Sequence, residues 1–311
     1  MSEFHFADRL LAAIANMKTP LIVGLDPVYE QIPEDIRGHK SLNDGDDAES
    51  AADAMLEFCT RVLKVVAPHV AAVKINSAFF EMYHSSGIEA YDALVQEAAA
   101  HGLLVIGDVK RGDIGNTSER YALGNLSDPA FVGMEESVGP DAITVAPYMG
   151  SDSVEPFIKV AADEGKGVFV LVRTSNPGSA EIQEQKLADG TPLYMHVAKL
   201  VEKWGAASVG KAGYSAVGAV VGATHPEQLA ELRAAMPKTL FLVPGLGAQG
   251  ATARDIARAF KPDGTGAIIN SSRGIIFAFK DAKYKGDGGW EKAVERAVIA
   301  TKKEIAEALG G

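Results

Sequence analysis

Residues 103–117 read LLVIGDVKRGDIGNT, an apolar run that changes abruptly into a charged one. Val, Ile and Leu without polar alternation are typical of a strand that is covered on both faces. Asp108 and Lys110 are two residues apart, so on a strand their side chains face the same side. Because buried charge is costly unless it is paired or used, this stretch predicts a strand that ends at a functional site.

Similar apolar runs recur along the chain, and segments of helical periodicity lie between them. The predicted strands are 21–25, 70–75, 103–109, 142–146, 168–172, 216–221, 240–243 and 267–269, and the predicted helices include 51–66, 88–100, 154–163, 193–206, 226–235 and 251–260. Thr224 and Asp152 are predicted N-caps, because a glutamate follows each of them three residues later. The alternation predicts an α/β fold, a (β/α)8 TIM barrel, with a doubly wound open sheet as the alternative.

We expect residues 1–311 to form one barrel domain with insertions near 27–46, 175–190 and 280–289. These segments are polar, rich in Gly, Pro, Asn and Asp, and longer than ordinary connections. They are too short to hold a core of their own. Long loops are often functional, so 175–190 is the candidate lid.

Composition excludes several classes of function. Forty-one acidic against thirty basic residues give a formal charge of −11, which disfavours a nucleic-acid partner. The single cysteine, Cys59, cannot form an internal disulfide and is expected to be a buried thiol. Acidic Glu3 and Asp8 precede a short apolar stretch, unlike a signal peptide, and no apolar run is long enough to span a membrane. We therefore expect a cytoplasmic protein with no membrane partner.

Two further predicted strands also end in charge. Asp26 closes the first strand, and Lys74 lies just before the end of the second. A structural ion pair at the mouth of the barrel is one explanation for such residues. Three successive strands ending in Asp, Lys and Asp-x-Lys favour catalysis, because the carboxyl ends of barrel strands surround the active site.

The last two predicted strands are followed by a candidate anion site. The loop 243–250 reads VPGLGAQG, and residues 270–274 read NSSRG. Barrels often bind phosphate in these two loops, where glycines let backbone N–H groups approach and an arginine supplies charge. The pairing of this loop with Arg273 predicts a phosphorylated substrate.

On these residues the chain resembles the orotidine 5'-phosphate decarboxylases, in particular their longer bacterial form. The resemblance is carried by DVKRGDIGNT at 108–117, with Lys74, the SNPG turn at 175–178, the loop 244–249 and Arg273 in the family's order. It implies conversion of orotidine 5'-monophosphate to uridine 5'-monophosphate (UMP), the last step of de novo pyrimidine biosynthesis, with no metal or organic cofactor. It also implies a polar residue at position 146, where this chain has Ala146.

The resemblance further implies a role for individual residues. Lys74, Asp108, Lys110 and Asp113 would form a charged network with Lys110 as the proton donor, in a homodimer whose subunits share their active sites. Substrate contacts would come from Asp26 at a ribose hydroxyl, Ser175 at the pyrimidine amide edge, Pro244 beside the base, Gln249 and Arg273 at the phosphate, and Asp113, Ile114 and Thr117 reaching the neighbouring subunit's site.

Two other functions are compatible with parts of this pattern. Metal-dependent sugar-phosphate decarboxylases and aldolases of the same barrel group share the Asp-x-Lys-x-x-Asp strand end. They place a carboxylate where this chain has Lys74, and an ammonium there would oppose a divalent cation. A non-catalytic sensor of a phosphorylated ligand is the second alternative, because fold alone does not guarantee activity.

Overall fold

The apolar runs form the strands of a closed parallel barrel. The computed structural model describes residues 5–38, 48–129, 131, 133–134, 137–245, 252–286 and 288–310. Each strand pairs with the next and the last pairs with the first, which confirms the TIM barrel and rules out the doubly wound sheet. The strands are β1 Leu21–Leu25, β2 Ala72–Asn76, β3 Leu104–Arg111, β4 Ala142–Val145, β5 Gly167–Arg173, β6 Val217–Val221, β7 Phe241–Pro244 and β8 Ala267–Ser271.

Helices separate the strands and cover the outside of the barrel. They are α1 Phe6–Met17, α2 Glu34–Arg37, α3 Ala48–Val66, α4 Ala78–Glu81, α5 His84–Ala100, α6 Gly115–Leu126, α7 Ser151–Glu164, α8 Ala180–Gln183, α9 Leu193–Gly205, α10 Pro226–Ala235, α11 Ala253–Ile256, α12 Arg273–Ile276 and α13 Gly289–Ala308. Helices α6 and α13 lie outside the predicted segments, as do the one-turn helices α2, α4, α8 and α12. Helix α6 begins with Gly and Asn, which are poor helix formers. The predicted helix 251–260 is α11 followed by a 3-10 turn at Ala257–Ala259.

The strands are buried on both faces, as their composition predicts. One apolar layer lies between the strands and the surrounding helices and includes Cys59, which is fully buried. A second fills the barrel interior. Helix α1 contributes Phe6, Ala7 and Leu10 to this inner layer, and the Phe6 ring packs edge-on against Phe169 with 5.9 Å between centroids. Apolar side chains therefore close the barrel beneath the carboxyl ends of its strands.

Both predicted N-caps are wrong. Helix α10 begins at Pro226 with His225 as its N-cap, and α7 begins at Ser151 with Gly150 as its N-cap; neither N-cap side chain bonds to the helix. Proline is preorganised for the first helical position, so it starts α10 one residue after the position that Thr224 would require. Glycine at positive φ similarly starts α7 before Asp152 is reached.

The three predicted insertions contain short turns of helix. Residues 27–46 include a 3-10 turn at Tyr29–Gln31 and α2, and 39–46 lie outside the described residues. The 175–190 segment includes a 3-10 turn at Pro177–Ser179 and α8, while 280–289 includes one at Ala282–Tyr284. Within the described ranges, no helix combines the length and the apolar character needed to cross a membrane.

Replacing Gly167 by Ala is expected to destabilise the barrel. A Cβ at this position would overlap the Phe6 ring, which is fixed in the inner layer. Overpacking of this kind costs about 1–3 kcal/mol of unfolding free energy. Thermal and denaturant unfolding measure the change. Gly124→Ala in α6 is the matched control, because a Cβ there has open space; equal stability of the two variants would contradict the packing argument.

Candidate active site

A cavity of about 460 Å³ opens at the carboxyl ends of the strands. Its volume lies in the range of small-molecule sites. One wall, from β1 to β4, is charged and polar, and the opposite wall, from β5 to β7, is largely apolar. The lining residues are Asp26, Lys74, Asn76, Asp108, Lys110, Thr144, Leu171, Thr174, Ser175, Asn176, Val220, Leu242, Pro244, Gly245, Asn270, Ser272 and Arg273.

The charged wall is a chain of alternating ion pairs across three neighbouring strands. Lys74 Nζ lies 3.3 Å from Asp26 Oδ1 and 2.9 Å from Asp108 Oδ2. The other oxygen of Asp108 lies 2.6 Å from Lys110 Nζ. The Lys74 and Asp108 side chains are only 6% and 10% exposed, whereas that of Lys110 is 49% exposed. The chain therefore runs from two buried, paired charges to one ammonium that is accessible from the cavity.

Each buried charge is held in its ionised form by its neighbours. Burial alone would lower the pKa of Lys74, but Asp108 and Asp26 outweigh it and the pKa is raised. Burial would raise the pKa of Asp108, but Lys74 and Lys110 outweigh it, and the pKa falls well below its usual range. Opposite charges at this distance favour the ionised state of both partners. Lys74 and Asp108 consequently both stay charged in the neutral range.

Thr144 on β4 joins the side chain of Asp108 to the backbone of Lys110. Its hydroxyl donates to Asp108 Oδ1 at 2.9 Å, and the Lys110 N–H donates to Thr144 Oγ1 at 3.0 Å. The register between β3 and β4 shifts between Gly107 and Arg111, and Lys110 has a φ of +44°. A non-glycine residue in this left-handed region is strained, and such strain concentrates at functional sites.

The resemblance implies a polar side chain at position 146, where the chain has Ala146. The Ala146 N–H donates to the Arg111 carbonyl at 2.8 Å, which is a backbone contact and needs no polar side chain. The polar group on β4 is Thr144, two residues earlier.

The remaining cavity walls bring together Ser175, Pro244 and Arg273. Ser175 follows β5, and its backbone is crowded by Gly222 at the end of β6, where a Cβ would lie 2.9 Å from the Ser175 nitrogen. Pro244 ends β7, and Arg273 begins the short helix α12 after β8. Three predicted contacts from separate strands therefore line one cavity together with Asp26.

Three predicted site residues within the described ranges do not line this cavity. Asp113 follows β3, and its carboxylate accepts the Ile114 N–H at 2.8 Å. Ile114 is 53% exposed, and Thr117 lies exposed on α6. None of these three residues lines the cavity of its own chain. Gln249 lies outside the described residues.

Several polar lining residues were not predicted. Each lies one or two positions from a predicted residue or at the end of a strand. Strand residues that are two positions apart face the same side, and this spacing could have indicated some of them. They are Asn76, Thr144 and Thr174; Asn176, Asn270 and Ser272 also line the cavity and belong to the predicted SNPG turn and anion site. Over the described ranges, no three His, Cys, Asp or Glu side chains are grouped as metal ligands would be.

Comparison with known proteins places this geometry in one family. The sequence model described as "Orotidine 5'-phosphate decarboxylase / HUMPS family" matches residues 19–284. An orotidine 5'-phosphate decarboxylase of Rhodopirellula baltica is 42% identical over 96% of this chain and 98% of its own length. One of Haloarcula marismortui is 38% identical over 98% of both chains. The structure of Leishmania donovani OMP decarboxylase is similar with a TM-score of 0.73 and 32% identity over 99% of both chains.

Replacing Asp108 by Asn is expected to make stability less sensitive to acid. Because the folded pKa of Asp108 is depressed, its contribution is present above the unfolded pKa of about 4 and is lost as the pH falls through the folded pKa. At pH 7 the variant should lose roughly 3 kcal/mol, since Lys74 and Lys110 each lose a partner. The deficit should shrink below about pH 4.

Denaturant unfolding from pH 7 to pH 3 measures this difference. Asp163→Asn, at an exposed position on α7, is the control and should stay within about 0.5 kcal/mol of the wild type. A deficit for Asp108→Asn that is the same at pH 7 and pH 3 would contradict the linkage.

Proposed function

The chain belongs to the orotidine 5'-phosphate decarboxylase / HUMPS family, and we propose that Lys74, Asp108, Lys110 and Asp113 carry out its chemistry. The protein is a carboxy-lyase that converts orotidine 5'-monophosphate to UMP in pyrimidine biosynthesis. The observation that carries the assignment of residues is the alternating ion chain that ends in a half-exposed Lys110 ammonium.

The reaction requires stabilisation of negative charge at a carbon atom. When the bond between C6 and the carboxylate breaks, CO2 leaves and the electron pair remains on C6. The Lys110 ammonium, held by Asp108 at 2.6 Å, is a fixed positive charge that stabilises this developing anion. It then donates a proton to C6, and water restores the proton on Nζ. Asp108, which is paired with Lys110, is proposed to repel the substrate carboxylate and so to favour departure of CO2.

The other cavity residues are proposed to bind parts of the substrate that do not react. Asp26 accepts a hydrogen bond from a ribose hydroxyl, and Ser175 contacts the amide edge of the pyrimidine. Pro244 packs beside the base, while Arg273 and Gln249 hold the phosphate. The binding energy of the remote phosphate can then position the ring over Lys110, so that it contributes to the rate.

The metal-dependent alternative is disfavoured by the position of Lys74. Its ammonium lies between the carboxylates of Asp26 and Asp108, at 3.3 and 2.9 Å, and so occupies the place between these two acidic groups. A divalent cation there would be repelled by the ammonium. We therefore propose a reaction without a metal or an organic cofactor.

We also propose a homodimer in which Asp113, Ile114 and Thr117 complete the partner's site. These residues do not line their own cavity, although they follow β3 directly after Lys110. Ile114 is exposed, and so are Met82, Tyr121, Tyr148 and Met149 on the segments after β2, β3 and β4. Exposed apolar residues at the same end of the barrel support an interface between two copies.

The direct test of the function is the loss of ultraviolet absorbance of orotidine 5'-monophosphate on addition of purified protein. The assay is run with and without a chelator. A fast decrease that the chelator leaves unchanged supports the proposal. Turnover that stops with chelator and returns with a divalent cation would favour the metal-dependent alternative, and UMP binding without turnover would favour a sensor.

Replacing Lys110 by Ala is expected to abolish turnover and to leave UMP binding largely intact. The ammonium acts mainly on charge that develops in the transition state, so its loss should lower kcat by at least about a thousandfold. Steady-state kinetics and calorimetric titration with UMP measure the two effects. Lys199→Ala, at an exposed position on α9, is the control. Near-normal turnover of Lys110→Ala would refute the role of this residue.

Two inactive variants are expected to restore activity when their subunits exchange. Lys110→Ala and Asp113→Ala damage the same site from different chains if the sites are shared. A mixed dimer then contains one intact site and one doubly altered site. After complete random exchange, about a quarter of the wild-type activity per chain should return. If both residues acted within one chain, mixing would restore nothing.

A further inference from the structure

Arg173, the last residue of β5, is buried directly behind the cavity wall. It is 1% exposed, and its guanidinium reaches three separate segments of the chain. Nε donates to Gln228 on α10 at 2.7 Å, and Nη2 lies 2.5 Å from a carboxylate oxygen of Glu184. Nη1 donates to the Thr174 carbonyl at 3.2 Å. A buried arginine with its planar fork satisfied in this way is a rigid anchor.

Gln183 connects this anchor to the residue that begins the cavity wall. Its Oε1 accepts from Arg173 Nη1 at 3.2 Å and from the Thr174 N–H at 2.9 Å. Its Nε2 donates to Thr174 Oγ1 at 2.8 Å. One carboxamide therefore holds both the backbone and the side chain of Thr174. We call this set of Arg173, Gln183 and Thr174 the clamp.

The clamp is connected by a hydrogen bond to residues that line the cavity. Thr174 Oγ1 donates to Asn176 Oδ1 at 2.7 Å, and Thr174, Ser175 and Asn176 all line the cavity. Gly222 crowds Ser175 from the other side, and its N–H donates to the Arg173 carbonyl at 2.7 Å. The wall opposite the charged residues is thus fixed from behind by hydrogen bonds to groups that do not themselves line the cavity.

We propose that Arg173 and Gln183 are positioning residues that act through Thr174 to hold Ser175 and Asn176 against the pyrimidine ring. This inference rests on the proposed function, because Ser175 is assigned there to the base. Neither Arg173 nor Gln183 lines the cavity, so both act through other residues. A displacement of this wall by about 1 Å is enough to lower the rate substantially, because the substrate must be held in the correct position and orientation relative to the catalytic groups.

The decisive variant is Gln183→Met, which keeps the length of the side chain and removes both hydrogen bonds to Thr174. Gln185→Met is the matched control, with the same chemical change at an exposed position two residues later. Arg173→Lys keeps the charge and loses the planar fork. Each is compared with the wild type in kcat and KM, in melting temperature, and in affinity for UMP and for ribose 5-phosphate, which lacks the base.

We expect Gln183→Met to lower kcat/KM and UMP affinity by about tenfold, with ribose 5-phosphate affinity unchanged. Arg173→Lys should change the same two quantities in the same direction, and Gln185→Met should change neither. Equal loss of affinity for both ligands would show a general disturbance of the barrel and overturn the proposal. So would a Gln183→Met variant that behaves like Gln185→Met. If the wild-type protein binds UMP but does not turn over orotidine 5'-monophosphate, the proposed function is overturned and the inference about the clamp is not. The affinities for UMP and ribose 5-phosphate would still show whether the clamp positions residues that contact the base.

Discussion

The pairing of Asp108 with two lysines is the constraint on which the rest of the site depends. A carboxylate that is 10% exposed is tolerated only because Lys74 and Lys110 each approach one of its oxygens. That arrangement requires strands β2 and β3 to be adjacent and parallel, so that Lys74, two residues before the register partner of Asp108, can extend to its carboxylate. The closed barrel meets this requirement, since its packed interior fixes the strand ends from below.

The division of the cavity into a charged and an apolar wall follows from the same constraint. Leu171, Val220 and Leu242 line the cavity from β5, β6 and β7 and give this part of it an apolar surface. Charges interact more strongly where water is excluded, so the apolar wall increases the effect of Lys110 on an anion bound between the two walls. The apolar residues therefore contribute to chemistry without carrying a reactive group.

The sequence predicted the strands, their order and most of the charged residues, because those features depend on local patterns. Strands β1 to β8 are buried, so they can be recognised in the sequence as apolar runs. Charged residues stand out at or near the ends of these runs, namely Asp26, Lys74, Asp108 and Lys110. Thr144 was missed because a single threonine in a β-strand is unremarkable until the structure shows Asp108 beside it. The N-caps failed because Pro226 and Gly150 start their helices by backbone geometry, which outweighed the weaker capping pattern.

The left-handed backbone conformation of Lys110 could not be predicted from the sequence, because it depends on tertiary contacts. An unperturbed strand predicts an extended backbone at this position, but the register of β3 shifts here and φ is +44°. A left-handed lysine costs about 1–2 kcal/mol, and its contacts to Asp108 and Thr144 offset that cost. The ammonium is therefore placed by tertiary contacts that oppose a local preference. Placing it during folding means that little reorganisation remains for the moment of reaction, which is the condition under which a fixed charge stabilises a transition state most effectively.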